Sequence, residues 1–230
     1  FFNREPLKTD LEIWDKTYYV GAQAIQSANL QAELVSSLFG GNPRSLNSLD
    51  KNNDNVIQTI IMKGEQGHQD AEIRTSGFLR AIQDMDFSVE VLALEVANWN
   101  RTEAFQKSGP IFERFGERIE LVISNNDNMA LGVISRMRSR GMFLDADKNG
   151  RIDQEDEDWV PVIGIDGLDE AVLQIEEGYL YGTVINDSGN MASAIVELAR
   201  VLLGQEDWGD FPFSLTDDKY IWIDYLPFAQ

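Results

Sequence analysis

Apolar residues recur along this chain with two alternating periods. Ile25, Ala28, Ala32, Val35 and Phe39 are spaced by three and four residues and stop at Gly40-Gly41, which predicts an amphipathic helix ended by glycine. Before them, 18–21 is a short β-rich run. The same order predicts strand 56–62 with helix 70–82, strand 89–96 with helix 102–115, strand 119–124 with helix 126–138, and strand 160–165 with helix 168–176. A strand over 180–185, a long helix over 191–203 and a last strand over 220–225 complete the pattern. Phe1-Phe2-Asn3-Arg4-Glu5-Pro6 reads as the end of a strand whose start lies upstream.

Strands as apolar as Ile119-Glu120-Leu121-Val122-Ile123, each leading into a helix, call for a parallel sheet covered on both faces. The expected class is therefore α/β, a doubly wound parallel sheet. Ligands of such sheets bind beyond the carboxyl ends of the strands. That rule singles out His68, Trp99, Asn126, Asp166 and Asn186.

Composition narrows the function classes. The 230 residues are 43% hydrophobic and 25% charged, enough to bury a core, and 39 Asp and Glu against 19 Lys and Arg leave a formal charge of −20. Such a charge repels phosphate backbones and anionic lipid, so nucleic acid is not an expected partner. With no Cys and a single His, a metal would have to be held by oxygen. No apolar run approaches the roughly 18 residues of a membrane span.

Two loops offer such oxygens. Asp50, Asn52, Asp54 and Gln58 fall at positions 1, 3, 5 and 9 of an EF-hand-like loop, with the Val56 carbonyl at position 7. Asn55 replaces the glycine of position 6, and Ile61 stands where a bidentate carboxylate belongs. An Asx-rich turn without metal fits the same residues. The second loop matches more fully: Asp145, Asp147, Asn149, the carbonyl of Arg151, Asp153 and Asp156, with Gly150 at position 6. Seven carboxylates between Asp145 and Asp158 would repel one another without a cation, although a solvated acidic loop is the plainer alternative.

His68, Asp70 and Arg74 share the start of one helix. Together they could bind a hydroxyl-rich ligand, or Asp70 could cap the helix and pair with Arg74.

Phe2-Asn3-Arg4-Glu5-Pro6, Lys63-Gly64-Glu65-Gln66-Gly67-His68, Asn125-Asn126-Asp127, Gly164-Ile165-Asp166 and Gly182-Thr183-Val184-Ile185-Asn186-Asp187 resemble the periplasmic glucose/galactose-binding proteins, calcium-carrying members of the bilobed type I sugar-binding fold. The resemblance runs to about Tyr225. It implies that Trp99 is a platform under a pyranose, with His68, Asp70, Arg74, Asn126, Asp166 and Asn186 on its hydroxyls and ring oxygen. It also implies that Glu120 supplies the missing carboxylate of the first calcium loop; it gives no precedent for the second.

Family members carry a further stretch at the front that forms most of the other lobe. The resemblance thus implies chiefly the C-terminal lobe: 1–186 as the sugar-binding lobe, 187–216 as a helix and connection belonging with the other lobe, and 217–230 as a final returning strand. Phe2-Asn3 and Asn186 would be hinge crossings, and 191–203 would pack on the absent N-terminal lobe, making the chain a fragment or a permuted relative. The implied function is glucose or galactose capture in the periplasm, or by an extracellular lipoprotein, for the membrane subunits of an ABC transporter and a chemoreceptor, without catalysis. Three alternatives stand beside it. They are an isolated calcium-stabilised lobe without sugar affinity, the sugar-sensing effector domain of a regulator, and a glycosidase using Asp70 and Asp166.

Overall fold

The computed structural model describes residues 1–144, 148, 152 and 159–230. In chain order the elements are α1 Lys8–Glu12, β1 Tyr19–Gly21, α2 Ala24–Leu38, β2 Ile57–Lys63, α3 Gln69–Asp84, β3 Val89–Val96, α4 Arg101–Phe115, β4 Leu121–Ser124, α5 Asp127–Ser139, β5 Val162–Asp166, α6 Asp169–Glu176, β6 Gly182–Asn186, α7 Ser188–Leu202, β7 Tyr220–Trp222 and β8 Tyr225–Ala229.

Six strands form one sheet in the order β3-β2-β4-β5-β6-β8. Its first five strands are parallel, and β8 closes the edge antiparallel to β6. This is the expected α/β architecture of a type I periplasmic binding fold, with one antiparallel edge that the strand–helix alternation does not announce. Strand β2 is buried at all seven residues because it lies between β3 and β4. Edge strand β3 is half exposed and carries Glu90 and Glu95, charges that discourage pairing with another chain. The core joins Ile60, Ile61, Val122, Ile123 and Ile163 to Ala28, Val35, Phe78, Ile111 and Val133 of the covering helices.

Strand β1 departs from the expected order. It pairs with β7 in a separate two-stranded sheet, so 19–21, expected within the larger lobe, belong to the smaller one. The single strand expected over 220–225 is two strands, one in each sheet. The break comes at Ile223-Asp224, where the Ile223 side chain stays in the core of the smaller sheet and the Tyr225 ring packs with Ile165 and Val184 of the larger sheet. Phe2 bridges Val20 and so stays with the smaller sheet; the connections between the sheets run through 22–23, 187 and 223–224. Helix α7 packs on the smaller sheet, burying Met191, Ala194 and Leu198 against Val20, Ile221 and Ile223. The short α1, too brief for a periodic signal, places Leu11 beside Tyr19 and Tyr220.

Candidate functional site

The five parallel strands end on one side of the sheet, and each delivers a polar or aromatic group there. Trp99 follows β3, His68 follows β2, Asn126 follows β4, while Asp166 and Asn186 are the last residues of β5 and β6. This is where doubly wound sheets bind ligands.

Trp99 sits in a turn whose backbone is left-handed at Asn98 (φ +50) and Trp99 (φ +62). Its indole lies over Gly64, with His68 edge-on at 5.2 Å between ring centroids. The Arg74 guanidinium carbon is 5.8 Å from the same ring. His68, and not Asp70, caps α3: its Nδ1 accepts the Asp70 backbone N–H at 3.2 Å. Asp70 therefore stands in the first turn, where the helix dipole favours its charge.

Arg74 is buried, with 5% of its surface exposed. Its Nη1 donates to the Asn125 carbonyl at 2.7 Å and its Nη2 to the Tyr225 hydroxyl at 2.9 Å. Among the described residues the carboxylate within ion-pair range is that of Asp166, at 3.8 Å; the alternative i,i+4 pair with Asp70 does not form at that range. Burial pushes the Asp166 carboxyl up to about 7, Arg74 pulls it back, and the Asp127 and Asp70 charges raise it. The Asp166 backbone is itself unusual for a side-chain-bearing residue, with φ +131. Two polar atoms in this region are buried without a partner among the described residues, Arg74 Nε and Asn186 Oδ1. An open cleft of about 520 Å³ is lined by Asn3, Asp166, Gly167, Asn186 and Asp187.

The structure thus brings all seven expected residues to one end of the sheet, with Asn126 anchored by capping α5 through Met129 N–H at 3.0 Å. It also shows supports that no single motif assigns. The Asn125 side chain accepts from Gly64 N–H and Thr75 Oγ1, both at 3.1 Å. Asp127, fully buried, accepts from Gly167 N–H at 2.8 Å, Leu168 N–H at 2.9 Å and Thr183 Oγ1 at 2.7 Å, and burial raises its carboxyl above the ordinary value. A polar Asn-Asn-Asp run that ends an apolar strand and opens a helix is the sequence signal for this pair. Tyr225 lies 151 residues from Arg74 and has no such signal.

The first oxygen-rich loop lies at the other end of the sheet, where Gln58 is the second residue of β2 and Glu120 precedes β4. Asp50 accepts from Asp54 N–H at 3.2 Å and Asn55 N–H at 2.8 Å, and Asn53 and Asn55 supply the left-handed turns with φ +58 and +60. Asp54 accepts from Val56 N–H at 2.9 Å and Gln58 Nε2 at 3.0 Å. Glu120 spans the loop, accepting from Lys51 N–H at 2.6 Å and Gln58 N–H at 3.1 Å. Burial raises the Glu120 carboxyl, those two donors lower it, and Asp50 raises it again. Among the described residues no three His, Asp or Glu side chains converge closely enough to hold a metal by themselves. A cation here would need amide and carbonyl oxygens as well, and buried Gln58 Oε1 is an acceptor with no partner among the described residues. That all-oxygen donor set fits a hard cation such as calcium. A cavity of about 570 Å³ opens beside Lys51, Gln58 and Glu120, larger than the cleft at Asp166. Convergence of aromatic and polar groups, and not size, picks out the opposite end for a small polar ligand. The second loop, Asp145, Asp147, Asn149, Arg151, Asp153 and Asp156, lies outside the described residues.

A family model described as a periplasmic binding protein domain matches residues 1–207. The D-galactose/methyl-galactoside binding periplasmic protein of Haemophilus influenzae is 33% identical over 203 residues, 88% of this chain and 55% of that protein. The D-allose-binding periplasmic protein of Escherichia coli is 25% identical over 141 residues, 61% of this chain and 40% of that one. The chain thus spans about half the length of the curated relatives it matches. Among solved structures, an ABC transporter solute-binding protein from Bacillus halodurans with bound myo-inositol superposes with a TM-score of 0.70 at 27% identity, covering 99% of this chain and 64% of that one. A periplasmic solute-binding protein from Actinobacillus succinogenes with bound D-allose gives 0.72 at 18% identity, covering 99% and 68%, a likeness of fold.

Proposed function

The chain belongs to the periplasmic binding protein family, and from that premise we propose that it is a sugar-recognising lobe serving import of a hexose, glucose or galactose, through the membrane subunits of an ABC transporter in the periplasm. The observation that carries this reading is the convergence of Trp99, His68, Arg74, Asn126, Asp166 and Asn186 at five adjacent strand ends. An indole face suits the C–H face of a pyranose. The groups around it are fixed by helix caps and buried hydrogen bonds, so little ordering is left to be done on binding. Arg74 Nε and Asn186 Oδ1 are a buried donor and a buried acceptor at these strand ends that no group of the described residues satisfies. The galactoside specificity of the Haemophilus relative favours a hexose over other polyols, and a chemoreceptor is a further partner of the same reading.

Calcium belongs to this proposal as a structural ion held by Asp50, Asn52, Asp54, the Val56 carbonyl, Gln58 and Glu120. When bound it supplies a double positive charge that offsets most of the charge of Asp50, Asp54 and Glu120, and it joins a loop to a strand of the main sheet. Titration calorimetry with glucose, galactose, allose, myo-inositol and ribose, repeated on Trp99→Ala, tests the sugar reading. A hexose isotherm lost in the variant is the expected result, and no heat with any sugar points to a calcium-stabilised lobe without sugar affinity.

One observation favours a second reading. A carboxyl raised to about 7 at Asp166 is a property a glycosidase acid would share. Release of nitrophenol from aryl glycosides, lost in Asp166→Asn, would favour that enzyme over a binder.

A further inference from the structure

Arg74 is a buried cation at the strand ends, yet neutral groups decide how it lies. Its two η nitrogens are taken by a carbonyl, Asn125 O, and a phenol, Tyr225 Oη. Asp166, at 3.8 Å, is beyond hydrogen-bond length. The guanidinium carbon sits 5.8 Å from the Trp99 ring and 6.0 Å from the Tyr225 ring. A guanidinium free to turn would close on the adjacent carboxylate in the forked geometry that such pairs prefer. Both partners would then be consumed, and a sugar hydroxyl would have to break the pair to bind.

We propose that Tyr225 is a positioning residue for sugar binding: its hydroxyl holds Arg74 off Asp166 and ties it to the connection between the two sheets. This rests on reading Arg74 as a sugar contact. Tyr225 is suited to the task because its own place is fixed. Its side chain is buried and its N–H donates to Gln26 Oε1 at 3.0 Å, while Gln26 Nε2 donates to Asp224 Oδ1 at 3.1 Å. One residue earlier, Ile223 N–H donates to Gly21 O at 2.8 Å in the smaller sheet. A continuous set of bonds thus runs from the smaller sheet through 223–224 to the guanidinium, so a change in seating at that connection reaches the arginine directly.

Tyr225→Phe removes the hydroxyl and keeps the ring. Nitrogen-15 NMR of the full chain without sugar reads the guanidinium itself: resolved Arg74 Nη signals, identified by their loss in Arg74→Lys, should merge in Tyr225→Phe as rotation is released. Glucose or galactose affinity should fall about tenfold, the effect of losing one charge-assisted hydrogen bond. Melting should stay within a few degrees of the native chain, since a purely structural role would appear there and leave the guanidinium signals alone. Resolved signals that persist in Tyr225→Phe would overturn the proposal. So would unchanged affinity in that variant while Arg74→Lys no longer binds. If the native chain binds no sugar, the sugar reading fails on its own, and the guanidinium signals still decide whether Tyr225 positions Arg74.

Discussion

The indole of Trp99 lies against the backbone of Gly64, so near that a Cβ on residue 64 would come within 2.3 Å of its ring carbons. No real Cβ contact is that short, so the aromatic platform depends on a missing side chain one residue past the end of β2. Gly64→Ala should displace the indole, at a cost of about 1–3 kcal/mol if the core resists. Sugar binding should weaken along with it. A shift of the Trp emission with lost sugar response checks this; an unmoved indole would mean that the backbone yields instead.

Glu120 should matter more with calcium than without it. An ion that binds only the folded chain stabilises by RT ln(1 + [Ca]/Kd), about 2.7 kcal/mol at a hundredfold excess over Kd. Glu120→Gln should therefore lower Tm in millimolar calcium and hardly in chelator. Equal losses in both would show that the carboxylate serves only its hydrogen bonds to Lys51 and Gln58.

Asp166 predicts a slope of stability with pH. Its carboxyl is raised to about 7 in the folded chain, chiefly by burial, against about 4 when unfolded. The folded state therefore takes up a proton in that window. The contribution is fully present below about pH 4 and is lost as pH rises through 7. Asp166→Asn should be more stable than the native chain above pH 7, the gap closing towards pH 4. A difference in Tm that is flat from pH 4 to 8 would show that folding does not shift the Asp166 carboxyl.

Asp127 should be costly to remove, because two donors in the turn after β5 and one on β6 share its two oxygens. Asp127→Ala leaves Gly167 N–H, Leu168 N–H and Thr183 Oγ1 without it, at a cost of about 2–4 kcal/mol. Urea denaturation reads the loss. Asp127→Asn, which keeps one acceptor, should lie between the variant and the native chain.

The sequence by itself determined the parallel strands of the larger sheet, the long helices and which residues stand at the ends of those strands. Each of those is local: a period of three to four residues, an apolar run, a cap. It placed His68, Trp99, Asn126, Asp166 and Asn186 beyond five strands, because in a parallel sheet the residue after a strand must fall on the ligand side whatever the strand order. Motif resemblance supplied the ligand class. The tertiary structure decided what spacing does not contain. The run 220–225 divides between two sheets because pairing, and not apolarity, selects a strand's neighbour. His68 takes the cap expected of Asp70 because the loop after β2 brings its imidazole over the first turn. The Arg74–Tyr225 bond joins residues 151 apart in the chain, and the desolvation that raises Asp166 exists only once the strand ends and their loops assemble around it. Long-range partners and local dielectric are properties of the packed molecule, and no pattern along the chain encodes them.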